Sequence, residues 1–292
     1  MAHALDQALR IGPYTYRIRS ELPELAAPVA SLYGAFPKAD TNSYIDFDVS
    51  LSPVSGRPGG TPRAIFRFDH RDHFAPVERR HAFATLEWGM NWCVSVHCNE
   101  YLKLHAGVVA TAHGAIVLPG VPGAGKSTLC ALLGLNGWRV LSDEHALVTP
   151  GTLDVTPIYR PISLKNESIT LIESLHSGAT FGPRIVDTHK GTVSHLKADQ
   201  HPDTFDPRPV TVRAIVFPHY RADAEQRLAR RSKTSSFLTA AYHAFNYSLL
   251  GTGGFEAMQT LIDGVPCYDL QYHDPEWALR AFDYLARGEG GA

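Results

Sequence analysis

The amino-acid sequence predicts an α/β fold, preceded by a small α+β region. Three observations predict it. Apolar strands and helices follow one another through residues 101–292. Residues 1–100 instead combine alternating strands with one helix. A glycine-rich turn in the larger region joins a buried strand directly to a helix. We therefore expect an accessory or lid region at 1–100 and a main domain at 101–292, and 292 residues are sufficient for both.

Alternation of apolar and polar residues predicts three strands in the accessory region: 14–19, 44–51 and 63–68. A turn rich in Pro, Gly and Ser at 52–62 favours antiparallel pairing of the last two strands, in a sheet with one wet face. Helical spacing then follows over 76–98. A lid or scaffold is favoured over substrate docking for this region.

Composition limits the classes of partner. The net charge of −2 gives no general attraction to nucleic acid or to anionic lipid, so neither is expected as a partner. The four cysteines are too few and too scattered for a disulfide framework, and Cys93 and Cys98 are more typical of a helical core than of a metal site. No apolar run reaches the length of a membrane span, and the N-terminus lacks a signal-peptide pattern. A cytoplasmic location is therefore expected.

The glycine-rich turn has the pattern Gly-x4-Gly-Lys-Ser from Gly120 to Ser127, between a strand at 115–118 and a helix that continues to Leu135. Such a loop points its backbone N–H groups inward, and the helix N-terminus adds a positive dipole end. The pattern predicts that a nucleoside triphosphate, ATP, binds here, with Lys126 bridging its β- and γ-phosphates and Ser127 ligating Mg²⁺. The alternative is a glycine-rich turn with a lysine by chance. The predicted nucleotide-binding residues are Gly120, Gly123, Ala124, Gly125, Lys126, Ser127 and Thr128.

Two further features flank this loop in the sequence. A short strand at 138–141 runs into Asp143 and Glu144, the position at which a carboxylate holds Mg²⁺ in such proteins. One acid could bind the metal while the other accepts a proton from an incoming hydroxyl. His105 lies in an apolar strand at 102–111, and a lone strand histidine is more often a core residue than a functional one.

Together, His105, the loop from Gly120 to Ser127 and the acids Asp143 and Glu144 resemble HPr kinase/phosphorylase and its relatives, specifically the HprK-related kinase A group. The resemblance is clearest over 102–167. It implies a P-loop kinase fold with a mixed central β-sheet, shared with phosphoenolpyruvate carboxykinase, and phosphate transfer to a serine hydroxyl of a protein or peptide. It also implies that His105 pairs with the first acid, Asp143, that Asp143 accepts the proton, and that Lys126 and Ser127 serve the phosphates and the metal.

Two departures from the family pattern are visible. Glu144 stands where HPr kinases have a second aspartate, and residues 161–168 replace a glycine-rich segment. The predicted metal ligands are accordingly Ser127, Glu144 and Glu167. Relatives in this group occur beside small PqqD-like peptide-binding proteins, which implies a peptide acceptor. Whether the chain forms a homo-oligomer, as HPr kinases do, stays open.

The remaining sequence supplies cations and helices. Transfer of a phosphoryl group calls for a cation besides Lys126, and the sequence does not choose among Arg160, Lys165, Arg184, Lys190 and Lys197. A helix is predicted from Ser235 or Ser236 through Leu250, with Phe237, Leu238, Tyr242, Phe245 and Leu249 inward. The basic run at 227–233 is read as a solvated helix face, with docking of an acidic peptide as the minority interpretation.

Three functions are compatible with these sequence features. The first is a kinase that phosphorylates a serine-type hydroxyl. The second is a P-loop ATPase or nucleotide-dependent switch that has no phosphoacceptor. The third is a binding module that retained the loop and lost its chemistry. Intact Lys126, Ser127 and both acids favour the first.

Overall fold

The computed structural model of the chain describes residues 4–40, 42–55, 59–197, 201 and 203–288. Within these residues the protein is a mixed α/β structure with seven α-helices and a large mixed sheet. Contacts divide the chain into two compact units, residues 1–97 with 163–197 and residues 98–162 with 198–292. The first unit therefore includes 163–197, which was assigned to the main domain at 101–292. The functional division into accessory region and kinase domain stays a prediction.

Unit 1 contains a six-stranded sheet in the order β1-β2-β3-β4-β5, with β6 paired to β4. Its elements up to residue 97 are β1 (Leu5–Ile11), β2 (Tyr14–Ser20), α1 (Ala26–Tyr33), β3 (Phe47–Val54), β4 (Arg63–Phe68), β5 (Arg71–Asp72), β6 (Val77–Glu78) and α2 (Ala82–His97). β3 and β4 pair antiparallel as predicted, although residues 56–58 of the predicted turn lie outside the described residues. β2 and β3, however, pair parallel, so the predicted antiparallel sheet is mixed. The connection through α1 is long enough for this crossover.

One predicted helix of unit 1 starts later than expected. The helix predicted over 76–98 begins at Ala82, because the residues before it form β6 and a short 3-10 turn. The apolar residues at helical spacing along it are all buried: Phe83, Leu86, Met90, Cys93 and Val94.

The rest of unit 1 lies in residues 163–197. A three-stranded sheet has the order β12-β14-β13, where the strands are β12 (Ile162–Lys165), β13 (Ile185–Thr188) and β14 (Gly191–Leu196). Ile162, the first residue of β12, belongs to unit 2. The helix α4 (Glu167–Leu175) follows β12 and was not predicted.

Unit 2 is organised around an eight-stranded sheet of order β11-β10-β7-β8-β15-β17-β16, with β9 also paired to β7 and β11 to β15. Its strands are β7 (Leu102–Thr111), β8 (Gly114–Pro119), β9 (Arg139–Ser142), β10 (His145–Val148), β11 (Asp154–Thr156), β15 (Val210–Tyr220), β16 (Arg227–Arg230) and β17 (Cys267–Tyr272). β8, β15 and β17 run parallel to one another, and the other neighbours pair antiparallel. The sheet is thus mixed, as predicted.

The helices of unit 2 are α3 (Lys126–Leu135), α5 (Lys233–Tyr242), α6 (Thr252–Gly264) and α7 (Pro275–Ala286). Residues 227–230 of the basic run predicted as a helix face instead form β16, antiparallel to β17, and Lys233 begins α5. The helix predicted through Leu250 ends at Tyr242. Of its predicted inward residues, Leu238, Tyr242, Phe245 and Leu249 are exposed, so that prediction is wrong.

No helix in the described part of the chain is both long and apolar enough to cross a membrane.

Candidate active site

The glycine loop (residues 120–125) connects the end of β8 to the first residue of α3. Gly123 and Gly125 have φ angles of +87° and +92°, in the left-handed region that favours glycine. A Cβ atom at Gly125 would also lie 2.3 Å from the Tyr272 hydroxyl oxygen. The tight path of the loop therefore requires glycine at 125 on two grounds, backbone conformation and space.

The Lys126 ammonium lies within this loop. Lys126 is 7% exposed, and its Nζ donates hydrogen bonds to the carbonyl oxygens of Gly120, at 2.6 Å, and Val121, at 3.1 Å. Ser127 and Thr128 occupy the first turn of α3, ahead of the bond from Leu129 N–H to the Gly125 carbonyl. N–H groups at such a helix start point outward and attract anions. The Lys126 ammonium and the first backbone N–H groups of α3 thus belong to the same short stretch of chain.

The acidic pair (Asp143 and Glu144) lies between β9 and β10, which both pair with β7. Ser142 of β9 pairs with Val108, and His145 of β10 pairs with His105, so the acidic pair lies opposite the residues between them. The Glu144 carbonyl accepts a hydrogen bond from Ala106 N–H at 3.1 Å. The backbone at this point is thus fixed to β7 even though the regular ladder is broken.

The glycine loop begins on the other side of the same stretch of β7. Ala106 pairs with Pro119, the last residue of β8. Because neighbouring strands are about 4.8 Å apart, the backbones of Pro119 and Glu144 are separated by roughly 10 Å, two strand spacings. The topology thus brings the glycine loop and the acidic pair to the same end of the sheet.

Asp143 is 4% exposed. Its charge and that of Lys126 both affect the pKa of one buried thiol, Cys130. The Cys130 thiol lies on α3, and its Sγ is 3.8 Å from the Ser142 carbonyl oxygen. Burial raises the pKa of this thiol most, the Asp143 charge raises it further, and the Lys126 charge lowers it. The carboxylate and the ammonium are therefore both close enough to Cys130 to influence it.

His105 contacts the second acid. Its Nε2 atom lies 3.2 Å from Glu144 Oε1, with the two side chains 23% and 32% exposed. The resemblance implied a pairing with the first acid, Asp143, and the structure places the imidazole beside Glu144 instead. A protonated imidazole would form an ion pair with this carboxylate, so His105 can orient Glu144.

Sequence reasoning missed two histidines near these residues. The His243 carbonyl accepts a hydrogen bond from His105 N–H at 2.7 Å, and the pKa of His243 is lowered by burial, then by the charges of Lys126 and His105. His145 is fully buried, and burial lowers its pKa to about 3. Its position directly after the acidic pair was a signal available in the sequence. His243 reaches the site through an isolated bridge between Leu104 and Ala244, which sequence spacing does not reveal.

The cation candidates divide between the units. Arg160 belongs to unit 2, is 5% exposed, and its charge contributes to lowering the pKa of His145. Lys165, Arg184, Lys190 and Lys197 belong to unit 1, where Arg184 pairs with Glu173 and the Lys190 ammonium lies 5.1 Å from the Trp88 ring centroid.

Glu167 also belongs to unit 1, as the first residue of α4. Its assignment as a metal ligand stays a prediction.

The donor set at the acidic pair fits Mg²⁺. Over the residues that the structure describes, no group of three or more His, Cys, Asp or Glu side chains could hold a metal by itself. Mg²⁺ suits such a site, because it usually takes one or two carboxylates and completes its shell with phosphate oxygens and water. The Ser127 hydroxyl and a carboxylate of the acidic pair are oxygen donors of the kind that Mg²⁺ takes.

Comparisons with known proteins give a weak structural likeness. No family model matches the chain, and no curated protein matches it. Among solved structures, the chain is similar to the Hpr(Ser) kinase/phosphatase from Coxiella burnetii, with 11% identity and a TM-score of 0.30 over 64% of this chain and 95% of that one. A TM-score of 0.30 is too low to support a function, so the proposed function rests on the geometry of this chain.

Proposed function

We propose that the protein is an ATP- and Mg²⁺-dependent kinase that transfers the γ-phosphate to a serine-type hydroxyl of a protein or peptide. One observation carries this proposal: the glycine loop and the acidic pair flank β7 at the same residue, Ala106. A site that joins an anion-binding loop to a carboxylate pair has the two halves that phosphoryl transfer needs, a phosphate cradle and a proton acceptor.

The triphosphate would occupy the glycine loop. Phosphate oxygens would replace the Gly120 and Val121 carbonyls as acceptors for the Lys126 ammonium, and the start of α3 would supply backbone donors. Ser127 and Glu144 would hold Mg²⁺, which supplies positive charge against the phosphates. His105, in contact with Glu144, is a positioning residue that keeps this carboxylate in place.

Asp143 would act on the acceptor. It accepts the proton of the hydroxyl while the hydroxyl oxygen forms its bond to the γ-phosphorus and the bond from that phosphorus to the β,γ-bridging oxygen breaks. ADP leaves with the electron pair of the broken bond. Burial of Asp143 keeps competing water away from the carboxylate. Arg160 is the cation candidate that lies in the same unit.

The alternative is a P-loop ATPase or nucleotide-dependent switch without a phosphoacceptor. The sequence contains neither the Asn-Lys-x-Asp guanine reader of GTPases nor the Leu-Ser-Gly-Gly-Gln signature of ABC ATPases. Either function would use the glycine loop, so the fate of the γ-phosphate decides between them.

The test is incubation of the full chain with γ-labelled ATP, Mg²⁺ and extract of the source cells. The kinase predicts acid-stable label on one protein or peptide band, which mass spectrometry then identifies. Label released only as inorganic phosphate supports the ATPase. The Lys126→Ala variant is the control, because it removes the ammonium from the loop and is expected to abolish either outcome.

A further inference from the structure

Large apolar side chains are exposed on α5 and on the segment that follows it. We name this group the α5 apolar surface, and it consists of Leu238, Tyr242, Phe245 and Leu249, which are 65%, 83%, 42% and 71% exposed. The first two lie one helical turn apart on α5, and the last two lie in the segment that follows it. Four large apolar side chains exposed within twelve residues of sequence are a feature of interaction sites.

The surrounding sequence supports an interface. No Asp, Glu, Lys or Arg occurs between Lys233 and Glu256, although the segment is at the surface for much of its length. Depletion of charge and enrichment in aromatic residues are the compositional features of the buried centre of an interface. Phe237 and Phe255, at the two ends of this segment, pack against each other with ring centroids 5.4 Å apart.

The α5 apolar surface continues directly into the candidate active site. The Phe245 ring centroid lies 5.7 Å from that of His105 and 5.0 Å from that of His145. The backbone fixes this placement, because Phe245 N–H donates to the Lys103 carbonyl at 2.9 Å. Whatever covers Phe245 therefore lies beside the contact between His105 and Glu144.

We propose that the α5 apolar surface docks the phosphoacceptor, a peptide or protein segment with apolar side chains on either side of its hydroxyl-bearing residue. This proposal rests on the proposed kinase function and names the chemistry of its acceptor. The acceptor is the occupant that must approach this place, because its hydroxyl has to reach Asp143. Extended chain advances about 3.3 Å per residue, so residues within a few positions of the hydroxyl would lie over Phe245 and its neighbours.

The test uses two libraries of serine peptides, one with Leu, Phe and Tyr around the serine and one with Asp and Lys there. The full chain is given γ-labelled ATP, Mg²⁺ and each library in turn. We expect kcat/KM to be about tenfold or more higher for the apolar library, because each buried apolar side chain contributes to docking. The double variant Leu238→Ser/Leu249→Ser should lose most of this preference while its affinity for ATP is unchanged.

Tyr44→Ser is the matched control, since Tyr44 is 82% exposed and lies in unit 1. It should keep the preference. Equal labelling of both libraries by the unchanged chain overturns the docking proposal and leaves the kinase standing. Phosphate release with no labelled peptide overturns both. A change of sedimentation in the double variant, with the preference retained, would identify a second copy of this chain as the occupant and overturn the docking proposal.

Discussion

At the residue scale, Gly125 is held by two constraints, its φ of +92° and the Tyr272 hydroxyl. Gly123 shares only the first, because nothing lies within 4 Å of a Cβ built there. We predict that Gly123→Ala lowers the free energy of unfolding by roughly 1–2 kcal/mol, the cost of a left-handed Ala. Gly125→Ala should lower it more, since the new methyl overlaps Tyr272.

Urea unfolding measures both changes. Adding Tyr272→Phe to Gly125→Ala should restore part of the loss, because the hydroxyl oxygen is the closest atom to the new methyl. Equal losses in the two glycine variants would contradict this account of the loop.

Asp143 is the residue on which transfer depends. We predict that Asp143→Asn lowers the transfer rate by at least a hundredfold and leaves ATP affinity within a few-fold, because a general base acts on the acceptor's proton. Rate assays and nucleotide titrations separate the two effects. Glu144→Gln is the comparison, and it should weaken Mg²⁺-dependent ATP binding instead. Loss of ATP binding in Asp143→Asn would make Asp143 a metal ligand.

Asp206 provides a test of pH dependence away from the site. Hydrogen bonds from Arg208 lower its pKa to about 2, below its ordinary value of 3.8. The pair therefore stabilises the fold above about pH 4, and this contribution is lost as the pH falls towards 2. Arg208 is 85% exposed, so solvent keeps the effect small.

We predict that Arg208→Ala is less stable than the unchanged chain at pH 5, and that most of this difference is lost at pH 2, as measured by urea unfolding. Arg208→Lys, which keeps the charge and loses the two-pronged contact, should fall between them at pH 5. A difference that persists undiminished at pH 2 would show that Arg208 acts through something other than this pair.

At the element scale, the segment after α5 is held on β7 by backbone hydrogen bonds and by one side chain, that of Asn246. Asn246 is 3% exposed; its Oδ1 accepts from Lys103 N–H at 2.9 Å, and its Nδ2 donates to the Tyr101 carbonyl at 2.8 Å. We predict that Asn246→Ala lowers the free energy of unfolding by about 2–4 kcal/mol, because it leaves buried backbone groups unsatisfied. Denaturant unfolding measures the change. Ser248→Ala, an exposed change in the same segment, is the control, and an equal effect in both would refute the fastening.

The same contacts explain why this segment could not be predicted from the sequence. Periodicity favoured a helix through Leu250, but the helix ends at Tyr242, where the chain turns to bridge β7 through Ala244 and Asn246. These partners are more than a hundred residues away in sequence, and a local pattern does not contain them. β7 itself was predicted with its observed bounds, because an apolar run between turns is local information.

The candidate site was predictable to a similar extent. The glycine loop follows from a compact pattern, and the acidic pair from its place after a short strand. The prediction that His105 pairs with Asp143 was wrong. The break between β9 and β10 decides which acid faces the histidine, and the pairing of both strands with β7 sets the position of that break. His243 was missed because its approach to the site depends on the turn after α5.

At the scale of the whole molecule, unit 1 combines residues 1–97 with 163–197. A boundary near residue 100 was visible in the sequence as a change of pattern. The sequence did not show that residues 163–197 belong to the first unit. Their membership depends on contacts between distant parts of the chain, such as that of Arg80 with Asp187. Glu167 and four of the five cation candidates lie in that segment.

The most direct measurement is a crystal structure of the full chain with Mg²⁺ and a non-hydrolysable ATP analogue. We predict that the triphosphate lies in the glycine loop with Lys126 on its β- and γ-phosphates, and that the Asp143 carboxylate faces the space in front of the γ-phosphorus. An analogue bound elsewhere, or an Asp143 carboxylate turned away from the γ-phosphate, would contradict the proposed transfer.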